Sequence, residues 1–212
     1  NQGAVYILYG HGAESCFPEQ RIVRIARGEA WGQMGWSIST GDLDGDGLSE
    51  IAVGTPYELV AEARRGAVWI IPGRTIATYE PLPLEQDAER PPFWVENEDG
   101  QWILSGLEQN GEAGRGVVIA ESLVAMASLR EIVDDTPEVG TVRFYRTDPA
   151  GGMRGEPVAI LVGETGRPGS QLGESMSVSP DGTKLLVGAF RGSGNGRDNG
   201  SAYLLDLSIL SP

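Results

Sequence analysis

The sequence is poor in the side chains that most often carry catalysis or covalent cross-links. Its 212 residues include one histidine, His11, and one cysteine, Cys16. A lone cysteine excludes a disulfide within the chain and leaves the redox compartment open. A lone histidine between two glycines, with no serine or cysteine nucleophile pattern beside it, argues against a catalytic triad or a zinc site. The sequence therefore presents no catalytic residues.

Basic residues and long apolar runs are also scarce. The 16 basic residues are outnumbered by 30 acidic ones, which gives a formal charge of −14. A surface of this charge repels phosphate backbones, so we expect no nucleic-acid partner. The longest apolar runs, such as 67–72 and 185–190, are far shorter than the roughly 20 residues that cross a bilayer. We therefore expect no membrane span in this chain.

Glycine is abundant, at 31 residues, and 40% of the chain is hydrophobic. Most glycines lie beside short apolar runs, a pattern typical of many short strands joined by tight turns. No stretch shows sustained helical periodicity bounded by caps. The composition predicts an all-β protein with enough apolar surface to build a core.

Three short motifs recur along the chain. The first is a glycine-led strand that begins at Gly3, Gly66, Gly140 and Gly200. The second has a central glycine and reads Met34-Gly35-Trp36-Ser37-Ile38, Ala113-Gly114-Arg115-Gly116-Val117 and Leu172-Gly173-Glu174-Ser175-Met176. The third is an apolar strand at 51–56, 124–129 and 186–190. Self-similarity at such intervals indicates a repeat architecture.

A fourth apolar strand precedes each second motif, at 21–25, 102–105 and 159–162. Grouped with the three motifs that follow it, this strand makes a unit of four strands in about 60 residues. Four antiparallel strands per repeat is the content of one blade of a β-propeller.

These motifs resemble FG-GAP repeats, whose consensus runs Phe-Gly-x-Ser, a calcium loop, an apolar strand ending in Gly-Ala-Pro and a Gly-Gly-x-Val-Tyr-type strand. The likeness is close in residues 32–73, weak in 113–146 and moderate in 169–206. The middle unit lacks both the serine and the Gly-Ala-Pro. The resemblance to integrin α-subunits implies that the complete fold is a seven-bladed propeller.

We therefore predict an all-β partial β-propeller of about three four-stranded antiparallel blades plus one extra strand. The predicted propeller segment spans 1–212, with the last strand of a preceding blade at 3–9, a blade with a calcium loop at 21–74, a degenerate blade at 102–147 and a blade at 158–207. Seven blades of about 60 residues need about 420 residues. We expect the remaining blades to come from missing N-terminal sequence or from a second chain.

The sharpest chemical signal is the acidic loop Asp42-Leu43-Asp44-Gly45-Asp46-Gly47-Leu48-Ser49-Glu50. Carboxylates at loop positions 1, 3, 5 and 9, a glycine at 6 and a backbone carbonyl at 7 suit a hard, oxygen-seeking cation. The predicted ligands are therefore Asp42, Asp44, Asp46, Glu50 and the carbonyl of Leu48. Position 12 is Val53 rather than glutamate, so the loop is not an EF-hand.

One structural Ca²⁺ is the predicted cofactor. Each pair of carboxylates costs about 1 kcal/mol at 4 Å even in water, so the loop closes more easily around a cation. A flexible loop with a carbonyl ligand favours calcium over magnesium. FG-GAP repeats usually end this loop in aspartate, so Glu50 departs from the family by one methylene. A metal-free polar turn is the alternative, and the shorter loops of the other two units, such as Ser179-Pro180-Asp181-Gly182, predict no second site.

Two functions remain open at this point. The resemblance to integrin repeats implies a non-catalytic module, extracellular or in the lumen of the secretory pathway, that binds a protein or glycan or serves in adhesion. The alternative is the non-catalytic C-terminal propeller of an enzyme similar to glycosylphosphatidylinositol-specific phospholipase D, which carries FG-GAP repeats after its catalytic domain. A third possibility is that two copies pair their open edges.

Overall fold

The structure is a computed structural model, and it describes residues 3–9, 21–26, 31–78, 82–83, 93–94, 102–148, 152–153, 155–165, 167–193 and 199–210. His11 and Cys16 lie outside these ranges. The strands are β1 Ala4–Tyr9, β2 Arg21–Ala26, β3 Ile38–Gly41, β4 Glu50–Thr55, β5 Leu59–Val60, β6 Ala63–Arg64, β7 Ala67–Ile71, β8 Leu82–Pro83, β9 Phe93–Trp94, β10 Trp102–Ser105, β11 Ala113–Ala120, β12 Leu123–Ser128, β13 Thr141–Asp148, β14 Gly152–Met153, β15 Ala159–Val162, β16 Leu172–Val178, β17 Lys184–Ala189 and β18 Ser201–Asp206. Two short helices are α1, Gly73–Ala77, and the 3₁₀ helix η1, Leu207–Leu210.

The described strands form four main sheets that follow one another along the chain. In sheet 1, β2 lies between β1 and β8 and also pairs with β9. Sheet 2 has the order β10-β7-β4-β3, and sheet 3 the order β11-β12-β13, with β14 and β15 both on β13. Sheet 4 has the order β16-β17-β18. The main pairings are antiparallel, and β5 with β6 forms a small separate ribbon. The prediction of an all-β partial propeller built from small antiparallel sheets is confirmed.

The repeating glycines occupy equivalent places between neighbouring sheets. Gly3, Gly66 and Gly140 have φ of 77°, 75° and 79°, in the left-handed region that favours glycine. A Cβ on these residues would lie 2.2–2.3 Å from backbone atoms of Met34, Ala113 and Leu172 respectively, the residues that begin the second motifs. The sequence repeat therefore marks the points where the backbone of one sheet meets the backbone of the next.

The strand that precedes each second motif belongs to a different sheet from the one predicted. Strand β10 pairs with β7 and β15 pairs with β13, as β2 pairs with β1. Each such strand therefore belongs to the preceding sheet, and grouping it with the motifs that follow was wrong. The chain order of strands is the same in both groupings, so only the hydrogen-bond pairing distinguishes them.

Three apolar clusters lie between successive sheets. Sheets 1 and 2 bury residues that include Val5, Ile25, Val53 and Trp69. Sheets 2 and 3 bury a second set, and sheets 3 and 4 a third. Because sheets 2 and 3 are covered on both faces, β4, β7 and β12 are buried along their whole length. Strands covered on both faces are continuous apolar runs rather than alternating ones.

The outer faces of the two end sheets are exposed. Strand β17 alternates between mostly buried and exposed positions and β18 between half-buried and exposed ones, and Leu186 and Leu204 lie opposite each other on the exposed face. On sheet 1, Tyr6 and Leu8 are about half exposed. Within the described ranges, no helix is long and apolar enough to cross a membrane.

Candidate metal centre

The acidic loop joins β3, an edge strand of sheet 2, to its neighbour β4. Strands β3 and β4 pair in register from Ile38 with Val53 to Gly41 with Glu50, so the loop begins and ends on directly opposed residues. The loop thus has its two ends held together by the sheet, and its backbone must turn within the residues between them.

Leu43 anchors the loop in the core between sheets 2 and 3. Its side chain is 1% exposed and packs in the same cluster as Val117 and Ile119 of sheet 3. Its carbonyl oxygen accepts a hydrogen bond from the hydroxyl of Thr147, 104 residues away, at 3.2 Å. A single apolar side chain between two acidic ones therefore ties the loop to the neighbouring sheet.

The aspartates hold the loop backbone through short-range hydrogen bonds. Asp42 accepts from the N–H groups of Gly45, at 2.8 Å, and Gly47, at 3.0 Å. Asp44 Oδ1 accepts from the N–H of Asp46 at 3.2 Å, and Asp46 Oδ1 accepts from the N–H of Leu48 at 2.8 Å. These bonds hold the backbone of the loop in its turn.

Three of the four predicted carboxylates come together. Asp42, Asp44 and Glu50 each place one oxygen within 4.8 Å of the others. Calcium–oxygen distances of about 2.3–2.6 Å put ligand atoms up to about 5 Å apart across the ion, so these three oxygens fit one calcium shell. Asp46 lies outside this group of three, and Leu48 lies in the same loop with its side chain exposed.

Glu50 is the buried member of the group. Its side chain is 0% exposed, Oε2 accepts from the N–H of Leu43 at 2.7 Å, and Oε1 accepts from the N–H of Gly73 at 3.0 Å. A buried carboxylate needs such donors or a cation, because burial alone disfavours its charge. The extra methylene relative to aspartate lets one carboxylate span the loop and the start of α1.

Helix α1 supplies a positive charge to the loop. Arg74 Nη1 lies 3.1 Å from Asp44 Oδ2 in a salt bridge. The preceding Gly73 packs so closely that a Cβ there would lie 2.7 Å from the Ser49 carbonyl oxygen and 2.8 Å from Leu48 Cβ. The start of α1 is therefore in direct contact with the loop.

The equivalent connections of sheets 3 and 4 are shorter. Strands β11 and β12 are joined through Glu121 and Ser122 alone, and β16 and β17 through 179–183. In the second connection Gly182 donates its N–H to the Ser179 carbonyl at 2.9 Å, the tight turn predicted there. Asp181 accepts hydrogen bonds from Ser179 and Thr183, which hold the pKa of Asp181 down to about 2.

A second candidate site is a cleft of about 330 Å³ at the other end of β3, lined by Trp36, Arg115, Glu174 and Met176 among others. The Arg115 guanidinium lies 4.2 Å from the centre of the Trp36 ring and 3.4 Å from a Glu174 carboxylate oxygen. Trp36 is nevertheless 47% exposed. An aromatic ring that is held in place and still faces solvent offers a flat surface for a ligand.

The sequence-based prediction of the site named the carboxylates but not the residues that hold the loop in place. Leu43 lies within the loop, whereas Gly73, Arg74 and Thr147 contact it from distant positions in the sequence. The one available signal was the apolar Leu43 between two aspartates, which is unusual for a solvent-exposed turn.

Comparison with known families gave a match to the FG-GAP repeat over residues 34–71. This range runs from the start of the second motif to the last residue of β7, and it includes β3, the acidic loop and β4. Comparison with curated proteins gave no match. The sequence match and the sheet arrangement agree: the chain carries an FG-GAP repeat at residues 34–71, within a β-propeller-type array of antiparallel sheets.

Proposed function

We propose that this protein is a non-catalytic, calcium-binding β-propeller module that recognises a protein or glycan outside the cytosol. The observation that supports this most directly is the group of oxygens from Asp42, Asp44 and Glu50 within 4.8 Å of one another. All three are hard carboxylate donors, which suit calcium rather than zinc or copper. In this proposal Asp46 and the Leu48 carbonyl complete the shell, and there is one site.

The proposed role of the ion is structural. Its ligands lie in a loop that is attached to sheet 3 through Leu43 and to α1 through Glu50. A cation that reduces carboxylate repulsion in this loop therefore also stabilises the contact between sheets 2 and 3. The ion would not touch the ligand of the module, since the proposed recognition surface lies at the other end of β3.

Recognition of a protein or glycan is supported by the cleft at Trp36. It lies along the edge strands β3, β11 and β16, which belong to three different sheets. Exposed tryptophan and a neighbouring arginine are typical of sites that bind proteins, and a flat aromatic face also suits a sugar ring. Millimolar calcium is typical of the compartments where such loops are filled, so we propose an extracellular or lumenal location.

We further propose that additional blades cover the two exposed end faces. Leu204 is 68% exposed and Leu186 47%, on a strand pair whose opposite face packs against the apolar cluster between sheets 3 and 4. The equivalent faces of sheets 2 and 3 are covered by a neighbouring sheet. The same kind of sheet, from more of the same protein or from a second chain, is the partner that these faces fit.

Calorimetric titration with CaCl₂ tests the calcium site. We expect one calcium per chain for the wild type and for Asp135→Asn, an exposed aspartate away from the loop that serves as a control of equal charge change. Asp44→Asn should lose at least tenfold in affinity, since one carboxylate ligand becomes a neutral amide.

A thermal melt with and without calcium tests the structural role. Calcium should raise the melting temperature of the wild type and of Asp135→Asn, and raise that of Asp44→Asn much less, because a ligand bound only by the folded state stabilises it. No heat and no rise in the wild type would contradict the proposal.

A further inference from the structure

We propose that Arg74 is a built-in competitor of the cation, which lowers the affinity of the loop for calcium and stabilises the loop when calcium is scarce. The inference rests on the proposed calcium site and concerns how tightly that site binds. It starts from the salt bridge of 3.1 Å between Arg74 Nη1 and Asp44 Oδ2.

The two partners of this salt bridge differ in exposure. The Asp44 side chain is 9% exposed, whereas the Arg74 side chain is 51% exposed. Asp44 is therefore held inside the loop, and its Oδ1 is already engaged with the N–H of Asp46. Arg74 can swing into solvent with little loss of packing, so it is the partner that would move when a cation approaches Oδ2.

The base of the Arg74 side chain is fixed relative to the loop. Its neighbour Gly73 donates its N–H to Glu50 Oε1 at 3.0 Å and packs against the backbone of Ser49. One short element therefore provides a hydrogen bond to one proposed ligand and a positive charge to another. The charge stays near the loop even when the side chain rotates.

The positive charge of Arg74 affects calcium binding in two ways that act in the same direction. A guanidinium beside several carboxylates relieves part of their repulsion, which stabilises the loop without calcium. The same positive charge repels a divalent cation a few ångströms away, and the repulsion weakens as salt screens it. Both effects oppose calcium binding, and together they correspond to roughly three- to tenfold in affinity at low salt.

An ordinary surface ion pair makes a different prediction. If Arg74 and Asp44 formed only an exposed ion pair, the pair would contribute little to stability, and removal of the Arg74 charge would leave calcium binding unchanged. The competitor hypothesis instead requires that removal of the Arg74 charge tightens calcium binding. The sign of the change therefore separates the two interpretations.

The test is calorimetric titration with CaCl₂ of the wild type, Arg74→Gln, Arg74→Lys and Arg64→Gln. Arg64 is exposed on β6, which comes just before β7, whereas α1 comes just after β7. Its substitution makes the same change of charge away from the loop. In about 20 mM salt, Arg74→Gln should bind calcium three- to tenfold more tightly than the wild type. Arg74→Lys keeps the charge and should stay within about twofold, as should Arg64→Gln.

Salt and melting temperature give independent readouts. The gain in affinity of Arg74→Gln should shrink in about 0.5 M salt, where charges are screened over a few ångströms. In chelator, Arg74→Gln should melt below the wild type, and its rise on calcium addition should be larger. Circular dichroism verifies that each variant is folded, and Arg74→Met, which also lacks the charge, replaces Arg74→Gln if that variant does not fold.

Unchanged or weaker calcium binding by folded Arg74→Gln, with calcium still bound by the wild type, would overturn the role of Arg74 and leave the calcium site intact. If the wild type binds no calcium, the proposed site itself fails, and the competitor role fails with it.

Discussion

The hydroxyl of Thr147 donates a hydrogen bond of 3.2 Å to the carbonyl oxygen of Leu43, although the two residues are 104 positions apart in the sequence. Thr147 belongs to β13 in sheet 3, and Leu43 belongs to the acidic loop of sheet 2. Both residues are buried. The loop is thus part of the contact between two sheets, and changes in the loop should be felt as changes in the stability of that contact.

Leu43→Ala should destabilise the protein by about 2–5 kcal/mol, the cost of removing a fully buried leucine from a packed core. Leu48→Ala is the matched control, because Leu48 lies in the same loop with its side chain 42% exposed. The control should change stability by less than about 1 kcal/mol. Urea unfolding monitored by tryptophan fluorescence measures both, and equal effects of the two substitutions would contradict an anchoring role for Leu43.

Gly73→Ala should destabilise the junction between α1 and the loop. Its new Cβ would meet the Ser49 carbonyl oxygen at 2.7 Å, closer than real contacts of this kind, so the backbone must shift. We expect a loss of about 1–3 kcal/mol. At Gly155 a Cβ would meet nothing within 4 Å, so Gly155→Ala should be neutral or slightly stabilising. A neutral Gly73→Ala in the same unfolding assay would show that this contact is not tight.

Asp181 should titrate at about pH 2, below its ordinary value of 3.8, since the Ser179 hydroxyl and the Thr183 N–H and hydroxyl bind its charged form. A folded-state pKa below the unfolded one contributes stability above about pH 4, and this contribution is lost as the pH falls toward 2. NMR titration of the side-chain carboxyl measures the pKa. Ser179→Ala removes the largest cause and should raise the pKa; no difference between variant and wild type would contradict the assignment.

Self-association should depend on the exposed face of sheet 4. Leu186→Ser with Leu204→Ser removes its opposed apolar pair, so light scattering at high protein concentration should show less association than in the wild type. Ile132→Ser is the control, because Ile132 is 55% exposed and lies in the connection between β12 and β13. A wild type that stays monomeric at all concentrations would contradict this prediction.

Much of the fold was predictable because it depends on local sequence patterns. Gly66 and Gly140 mark sheet contacts, since only glycine tolerates both positive φ and backbone at 2.3 Å from its Cβ position. The approach of Asp42, Asp44 and Glu50 to one another was predictable because acidic residues at this spacing in one short loop are the pattern that suits a hard cation. The sheet to which residues 102–105 belong was not predictable, because the sequence of an isolated apolar strand does not show which strand it pairs with.

The amino-acid sequence by itself determined the all-β class, the repeat and the acidic loop, because strand periodicity, turn glycines and carboxylate spacing are local properties of the chain. Only the tertiary structure decided which strand closes each sheet, that Leu43 and Thr147 join the loop to the next sheet, and that Arg74 faces Asp44. These relationships depend on how separate segments pack, and packing is settled by burial and hydrogen bonding across the whole molecule rather than by neighbours in sequence.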